Sequence, residues 1–354
     1  MPSYNRLQML RFVAELLHPT ETVNDSHFPA PQIFWDRLVQ IGSSQLLLPA
    51  IYGALKRKKL VNHAPKDLLL YLQEITDLNY ERNSAILKQV DFLSKIFNKN
   101  QIDHVFLKGA AMLITKTYEA VSERMVGDID ILVAEKDLLS AQQLLINEDF
   151  EAVSNEFSFT KGVLPDNYQK HLKRIKHSSY IAAVEIHRHL LIKENHLILT
   201  KDVLQNKVQS RRGLWIPSEQ HLWQHAILNW QYNDSGMIRN YLAFRSVLDV
   251  LYLEPSIMIA KLETSPNSIK HFYTLLSLYY TNYKSYYPLK KIVYKWQLQS
   301  KFFDNLYSFF KNLIALVYFG LSRTFIFLSS NIYRKRVISK RKLLWQRILK
   351  FWNK

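Results

Sequence analysis

Cysteine is absent from the 354 residues of this chain. A disulfide scaffold, a zinc site with thiolate ligands, an iron–sulfur cluster and thiol catalysis are therefore excluded together. Glycine is also scarce, with 8 residues, and proline contributes 11. These counts exclude collagen-like and low-complexity sequence and disfavour an all-β protein with many tight turns. The sequence predicts a helix-rich globular protein.

The N-terminus lacks a long apolar run. Residues 1–6 lead into mixed, charged sequence without the hydrophobic segment of a secretory signal peptide. Hydrophobic residues nevertheless make up 48% of the chain, which is enough to form sizeable cores and to exclude disorder as the dominant state. We therefore expect a cytoplasmic enzyme or binding protein.

Acidic residues are almost missing from the C-terminal fifth of the chain. The net charge is +17, and residues 281–354 contain 16 Lys and Arg residues against one acid, Asp304. The first 280 residues hold 31 basic and 29 acidic residues, so they are close to neutral. The net charge therefore does not assign a nucleic-acid-binding role to the whole chain. The function of the main part must be inferred from its own residues.

Hydrophobic periodicity divides the chain into four predicted regions. We expect a helical region over 1–98, an α/β core over 99–210, a helical region packing on the core over 211–280, and a basic, aromatic-rich helical region over 281–354. In the first region, helices are predicted at 5–17, 33–58 and 66–97. The apolar stripe of the last of these helices is predicted to contain Leu72, Ile75, Leu78, Ile86, Val90, Leu93 and Phe97.

The core region alternates short β-rich runs with amphipathic helices. Strands are predicted at 102–108, 127–133, 150–153 and 179–190, with helices at 110–119 and 136–148 among them. Further helices are predicted at 219–229 and 241–253. The predicted fold class is α+β, in which a small mixed sheet with flanking helices is embedded in a largely helical protein.

Carboxylates in this core indicate a metal site. Asp128 and Asp130 lie two residues apart in a predicted strand, so their side chains emerge on the same face and repel each other unless a cation lies between them. Glu185 and His187 share one face of the last predicted strand in the same way. Glu185 is a natural third ligand for Mg²⁺, which prefers oxygen ligands. His187 is expected to contact substrate or to orient an acid.

An anion site is predicted at the end of the first strand. Lys108 and Gly109 lie at a strand-to-helix junction, where glycine lets the backbone approach a phosphate and the helix N-terminus offers free N–H groups. Lys108 adds a positive charge. Arg124, four residues before Asp128, is expected either to bind phosphate or to pair with the acids.

Other titratable residues are expected to have structural roles. His221 and His225 lie four residues apart on a predicted helix, but no third metal ligand is evident near them. Arg245 and Asp249, also four residues apart, are expected to form a structural ion pair on a helix. Neither pair is counted among the candidate site residues.

The order of these motifs resembles the nucleotidyltransferase superfamily of the DNA polymerase beta type. The nearer resemblance is to a bacterial family of uncharacterised nucleotidyltransferases, and it covers about residues 70–255. The matching segments are Leu107–Gly109, Tyr118, Arg124, Gly127–Val133, Val184–His187, Pro217–Glu219, His225 and Leu248–Asp249. The turn differs from the superfamily's usual Gly-Ser or Gly-Gly, because Ala110 follows Gly109 and offers no hydroxyl to a phosphate.

This resemblance implies a reaction and a set of roles. A nucleoside monophosphate would pass from an NTP to an unidentified acceptor hydroxyl with release of pyrophosphate, with Mg²⁺ or Mn²⁺ as the cofactor. Asp128 and Asp130 would bind the metal ions, and Glu185 would bind the catalytic ion and take the acceptor's proton. Lys108 and Gly109 would hold the β- and γ-phosphates. Arg124 and His187 complete the nucleotide-binding candidates.

Two alternatives to nucleotidyl transfer stay open. The same metal site would also serve a phosphotransferase, which moves a terminal phosphoryl group. A different class is a non-catalytic, membrane-associated or assembly protein on a nucleotidyltransferase scaffold. Small molecules, sugars, proteins and nucleic acids all remain candidate acceptors.

The basic C-terminal segment, 302–354, has three interpretations. Its last part, 333–354, places Trp and Ile residues on one helical side and Lys and Arg residues on the other. Such a helix suits an anionic membrane surface, which would make the protein peripheral at the inner face of the membrane. It also suits nucleic acid, the less favoured partner, or a terminal helix packed on the body. A span is not favoured, because Arg323 interrupts the apolar run.

Overall fold

The computed structural model describes residues 5–23, 28, 30–153, 171–192, 195–234, 236, 242–253, 262–342 and 345. Its N-terminal part contains helices α1 (Arg6–Leu17), α2 (Gln32–Ser44), α3 (Leu48–Arg57) and α4 (Lys66–Lys99), with a 3-10 turn at Val61–His63. The stretch 33–58 is helical as predicted, but it is divided between two helices. The chain forms two helices there because Leu46 adopts a left-handed φ of 58° between them.

Helix α4 turns a polar pair toward the core. Leu72 and Phe97 are buried as predicted, but Leu78 is 56% exposed, which corrects its place in the apolar stripe. The neighbouring Asn79 and Asn83 are buried instead, because backbone carbonyl groups of a loop at this face accept hydrogen bonds from their side chains. Hydrophobic periodicity alone does not identify such a face.

A mixed five-stranded sheet forms the centre of the fold and confirms the predicted α+β class. Its strands are β1 (His104–Phe106), β2 (Asp128–Val133), β3 (Glu151–Ala152), β4 (Ile175–Lys176) and β5 (Ala183–His187). The order is β1-β2-β5-β4-β3, with β2 and β5 parallel and the other pairs antiparallel. The predicted strand over 179–190 is shorter in the structure, and β4 was not predicted because two residues carry no periodicity.

Helices flank this sheet and continue after it. Helix α5 (Lys108–Thr115) follows β1, and helix α6 (Leu138–Asn147) follows β2 and a 3-10 turn at Glu135–Asp137. The later elements are α7 (Thr200–Gln205), the hairpin β6 (Val208–Gln209) and β7 (Trp215–Ile216), α8 (Glu219–Leu228), a π-helical turn (Asn229–Asn233), α9 (Phe244–Leu253), a 3-10 turn (Leu262–Thr264), α10 (Asn267–Leu276) and α11 (Pro288–Gln299). Buried apolar residues from Leu7 to Tyr294 form one cluster. The predicted region boundaries stay predictions.

The C-terminal part is a long helix and a short one. Helix α12 (Lys301–Ser329) has 29 residues, and α13 (Asn331–Ser339) follows it directly. Among the described residues, α12 is the one helix long and apolar enough to cross a membrane, and only 6% of its most apolar window is buried. Half of the predicted amphipathic helix at 333–354, residues 343, 344 and 346–354, lies outside the described residues.

Candidate active site

The two central parallel strands bring three acidic side chains to one place. In the β2–β5 register, Asp130 lies directly opposite Glu185, and Asp128 lies one pleat away on the same face of β2. Ile129 and Ile131, on the other face of β2, are completely buried. The apolar alternation of β2 therefore fixes which face carries the acids.

The acids differ in their access to solvent. The side chain of Asp130 is 4% exposed and that of Glu185 is 9% exposed, whereas that of Asp128 is 31% exposed. Ligand atoms of Asp130, Glu185 and His187 all lie within 4.8 Å of one another, so these three can hold a metal ion. The predicted residues are thus brought together, with Asp128 at the open side.

Two cations neutralise the carboxylates. The Lys108 ammonium donates to Oδ1 of Asp130 at 2.5 Å. The guanidinium of Arg174 bridges the other two acids, because its Nη2 lies 2.7 Å from Oδ2 of Asp128 and 2.9 Å from Oε1 of Glu185. The sequence analysis did not single out Arg174. The residue immediately precedes the two-residue strand β4, where no motif or periodicity marks it.

The environment separates the carboxylates by their pKa values. Burial would raise the pKa of Asp130, but Lys108 and His187 lower it well below its usual range. Burial likewise opposes ionisation of Glu185, yet its histidine neighbours and Arg174 lower its pKa to about 2. The pKa of Asp128 is raised by burial and by the two neighbouring acids. Asp130 and Glu185 are therefore held ionised at neutral pH.

His187 orients the buried acids. Its ring is completely buried, and its Nε2 lies 2.7 Å from Oδ1 of Asp130 and 3.7 Å from Oε2 of Glu185. A second histidine that the sequence analysis did not select, His171, lies with its Nε2 3.6 Å from Oε2 of Glu185. Of the two expected roles of His187, the described contacts match the orientation of an acid.

The turn after β1 carries Lys108 into the cluster. The Leu107 N–H donates to the backbone oxygen of Asp130 at 2.9 Å, which ties the start of α5 to β2. Lys108 has a φ of 48°, a left-handed conformation that costs a non-glycine residue about 1–2 kcal/mol. No side chain caps the N-terminus of α5. Its first-turn N–H groups therefore lack the side-chain acceptor of a capped helix.

Gly109 is required by packing against Val126. A Cβ atom on Gly109 would lie 2.9 Å from Cγ2 and 3.1 Å from Cγ1 of Val126, a buried, β-branched side chain. The side chain of Val126 therefore occupies the space that a larger residue at position 109 would need. The prediction that Gly109 binds phosphate stays a prediction, and it can only involve the backbone.

Replacing Gly109 with alanine is expected to destabilise the fold by about 1–2 kcal/mol, because overpacking costs more than the helix propensity of alanine recovers. The measurement is urea unfolding followed by circular dichroism. In the double variant Gly109→Ala/Val126→Ala the clash is removed, so the loss should be smaller than the sum of the two single losses. Additive losses would contradict the packing role.

Polar side chains of α4 hold both central strands in place. Asn79 and Asn83 donate to the backbone oxygen of Arg124, and Arg82 donates to the backbone oxygens of Val126 and Gly127 at 3.0 Å each. Further along α4, Gln89 exchanges two hydrogen bonds with the backbone of residue 182, directly before β5. One helix therefore positions the start of both acid-bearing strands. The sequence shows these residues only as interruptions of the apolar stripe.

Arg124 lies in a buried ion pair rather than among the three acids. Its Nε and Nη2 donate to the two carboxylate oxygens of Asp249 at 2.7 and 2.9 Å, and its Nη1 donates to the Met125 backbone oxygen at 2.6 Å. The Tyr118 hydroxyl donates to the same carboxylate. Asp249 has the structural role that was expected, but its close partner is Arg124 rather than Arg245, on which the charge of Asp249 acts from a greater distance. A nucleotide-binding role for Arg124 stays a prediction that these contacts do not favour.

Comparison with protein families identifies the family of this chain. A family model described as an uncharacterised nucleotidyltransferase matches residues 31–250, which is more than half of the chain. The chain belongs to this family. No curated protein matches it. The resemblance inferred from the sequence is confirmed, and the match begins nearer the N-terminus than expected.

In this nucleotidyltransferase family member, the donor set fits a hard divalent cation. Carboxylate oxygens are the ligands that such cations prefer, and three of them converge here. The cluster already contacts the cationic groups of Lys108 and Arg174, which shows that it needs positive charge. The imidazole of His187 would suit a softer metal as a direct ligand. Its contact with Asp130 is instead typical of a residue that orients a metal ligand.

Proposed function

We propose that this protein transfers a nucleoside monophosphate from an NTP to an acceptor hydroxyl and releases pyrophosphate. The observation that carries the proposal is the parallel β2–β5 pairing, which sets Asp130 opposite Glu185 with Asp128 at the open side. Membership of a nucleotidyltransferase family supports this kind of transfer. The acceptor oxygen bonds to the α-phosphorus, the bond from the α-phosphorus to the oxygen that bridges to the β-phosphate breaks, pyrophosphate leaves with that oxygen, and the hydroxyl proton passes to solvent, directly or through Glu185.

The proposed cofactor is Mg²⁺ or Mn²⁺, with Asp128, Asp130 and Glu185 as its ligands. When bound, such an ion polarises the phosphoryl group and neutralises the charge that develops on it. Glu185 is proposed as a ligand because its histidine neighbours and Arg174 lower its pKa and hold the carboxylate in the ionised form that binds a metal ion. His187 holds Asp130 in orientation.

The proposed phosphate contacts come from the turn after β1 and from β4. Lys108 already lies at the carboxylates, and the uncapped N-terminus of α5 presents the N–H of Gly109 beside it. Arg174 is added to the nucleotide-binding candidates. A guanidinium released from Asp128 and Glu185 by a metal ion can pair with a phosphate through two N–H groups.

Isothermal titration calorimetry tests the proposal. We expect the protein to bind an NTP only when Mg²⁺ or Mn²⁺ is present. The variant Asp128→Ala/Asp130→Ala should lose this binding, because two of the three metal ligands are gone. The control Asp77→Ala/Glu81→Ala removes two exposed acids from α4 and should bind as the wild type does.

The products distinguish the alternatives. Incubation with an α-labelled NTP should yield pyrophosphate and a labelled NMP, with water replacing the acceptor. Release of NDP and phosphate would contradict nucleotidyl transfer and assign a phosphotransferase. Failure to bind any of the four NTPs with either metal would leave the non-catalytic scaffold as the better description.

A further inference from the structure

Helix α12 presents a broad apolar face that the rest of the described protein does not cover. Twelve of its large apolar side chains are at least 41% exposed. They are Phe302, Phe303, Leu306, Phe309, Phe310, Leu313, Ile314, Val317, Tyr318, Leu321, Phe325 and Leu328. Exposed apolar surface of this extent marks an interaction site on a soluble protein.

The helix is amphipathic along its whole length. At about 100° per residue, these twelve positions fall within one half of the helix circumference. The four charged residues all fall in the other half: Lys301, Asp304, Lys311 and Arg323. The apolar side chains therefore form one continuous face, which we call the α12 face.

The polar half of α12 is attached to the protein body. Asp304 accepts hydrogen bonds from Arg6 of α1 at 2.6 Å and from Gln297 of α11 at 3.1 Å. Ile326, on the same half, is 1% exposed. These contacts hold the helix against the body with the α12 face directed outward.

The segment that follows this face along the chain is strongly basic. Residues 330–354 contain nine Lys and Arg residues and no acid. Lys335, Arg341 and Lys342 are exposed, and so are the apolar side chains of Ile332 and Trp345. An apolar face bordered by cations is complementary to a layer of anionic headgroups above acyl chains.

We propose that α12 lies in the plane of an anionic lipid bilayer, with the α12 face among the acyl chains and the exposed cations Lys335, Arg341 and Lys342 on the headgroups. A helix of 29 residues is about 44 Å long, so it is long enough to span. Spanning would place Lys311 and Arg323 in lipid and would break the contacts of Asp304 with the body. Nucleic acid is less suited, because phosphates do not cover twelve apolar side chains.

Vesicle flotation of the full chain tests this proposal. The protein is expected to float with phosphatidylcholine vesicles that contain phosphatidylglycerol, and to float much less with phosphatidylcholine alone. Phe310→Asp/Leu321→Asp changes the centre of the α12 face and should weaken partitioning at least about tenfold. The matched control, Leu70→Asp/Leu139→Asp, changes two apolar residues on α4 and α6 that are each 71% exposed, more than Phe310 or Leu321, and should float as the wild type does.

The orientation is read from single cysteines in this cysteine-free chain. A polarity-sensitive dye at Leu313→Cys or Val317→Cys should report an apolar environment on vesicles. The same dye at Asn305→Cys or Asn312→Cys, exposed positions on the opposite half, should stay in water. A signal that depends on distance from the helix ends rather than on the face would overturn the in-plane arrangement and indicate a span.

Three further results would overturn the membrane proposal. One is the absence of flotation, and another is an equal loss of flotation in Phe310→Asp/Leu321→Asp and in its control. The third is a dimer in light scattering that dissociates in Phe310→Asp/Leu321→Asp without any flotation, since a second copy would then cover the face. Retention on immobilised DNA or RNA without flotation would instead assign the basic residues to nucleic acid. None of these outcomes bears on NTP binding at the carboxylates.

Discussion

Release of pyrophosphate from an NTP is expected to fall at least about 10³-fold when Asp130 is replaced with asparagine, because several kcal/mol of metal-dependent stabilisation are lost. Asparagine keeps the shape of the side chain and its capacity to accept hydrogen bonds. It removes the negative charge at the point where Lys108, His187 and Glu185 converge. The measurement is the rate of pyrophosphate release from an α-labelled NTP, with water as the acceptor.

The matched control is Asp77→Asn, which makes the same chemical change at an exposed position of α4. Its rate should equal that of the wild type. Circular dichroism should show that Asp130→Asn is folded, so that a lost rate reflects the site. An Asp130→Asn variant that releases pyrophosphate at the wild-type rate would exclude the proposed catalytic site.

Replacing Arg124 with leucine is expected to destabilise the protein by about 3–5 kcal/mol, because it leaves the buried Asp249 carboxylate without its bidentate partner. The side chains of both residues are only 9% exposed. Burial opposes the charge on Arg124, yet Asp249 raises the pKa of the guanidinium, so Arg124 stays protonated. Urea unfolding at neutral pH measures the loss.

A surface ion pair is the control for this prediction. Arg212 and Asp91 lie 2.5 Å apart, but each side chain is 36% exposed. Arg212→Leu should therefore change the stability by less than about 1 kcal/mol. Arg124→Leu/Asp249→Leu should lose less stability than Arg124→Leu alone, because the double variant leaves no unpaired charge buried. Equal effects at both pairs would show that Arg124 does not stabilise the fold through Asp249.

The acids of the two strands could be predicted from the sequence, whereas the partner of Arg124 could not. The adjacency of Asp128 and Asp130 follows from the two-residue period of a strand, and so does the shared face of Glu185 and His187. Arg124 could be recognised as part of a motif, but its partner lies 125 residues away along the chain. The nearer candidate for Asp249, Arg245, fitted the local spacing but is not its close partner.

The α12 face could be predicted only in part. Its half-and-half distribution of apolar and charged residues is present in the sequence. Whether such a face packs on the body or stays exposed depends on what else the protein offers to cover it. The described residues leave it exposed, with Asp304 and Ile326 turned inward.

The sequence by itself determined the family, the α+β class and the strands that carry Asp128, Asp130 and Glu185, because each rests on a local motif or a short period. The tertiary structure decided the rest. It placed Arg174 between Asp128 and Glu185, gave Asn79 and Asn83 their buried hydrogen-bond acceptors, and paired Arg124 with Asp249. Each of these contacts joins residues distant in the chain, and no local pattern specifies which distant polar group will satisfy a buried one.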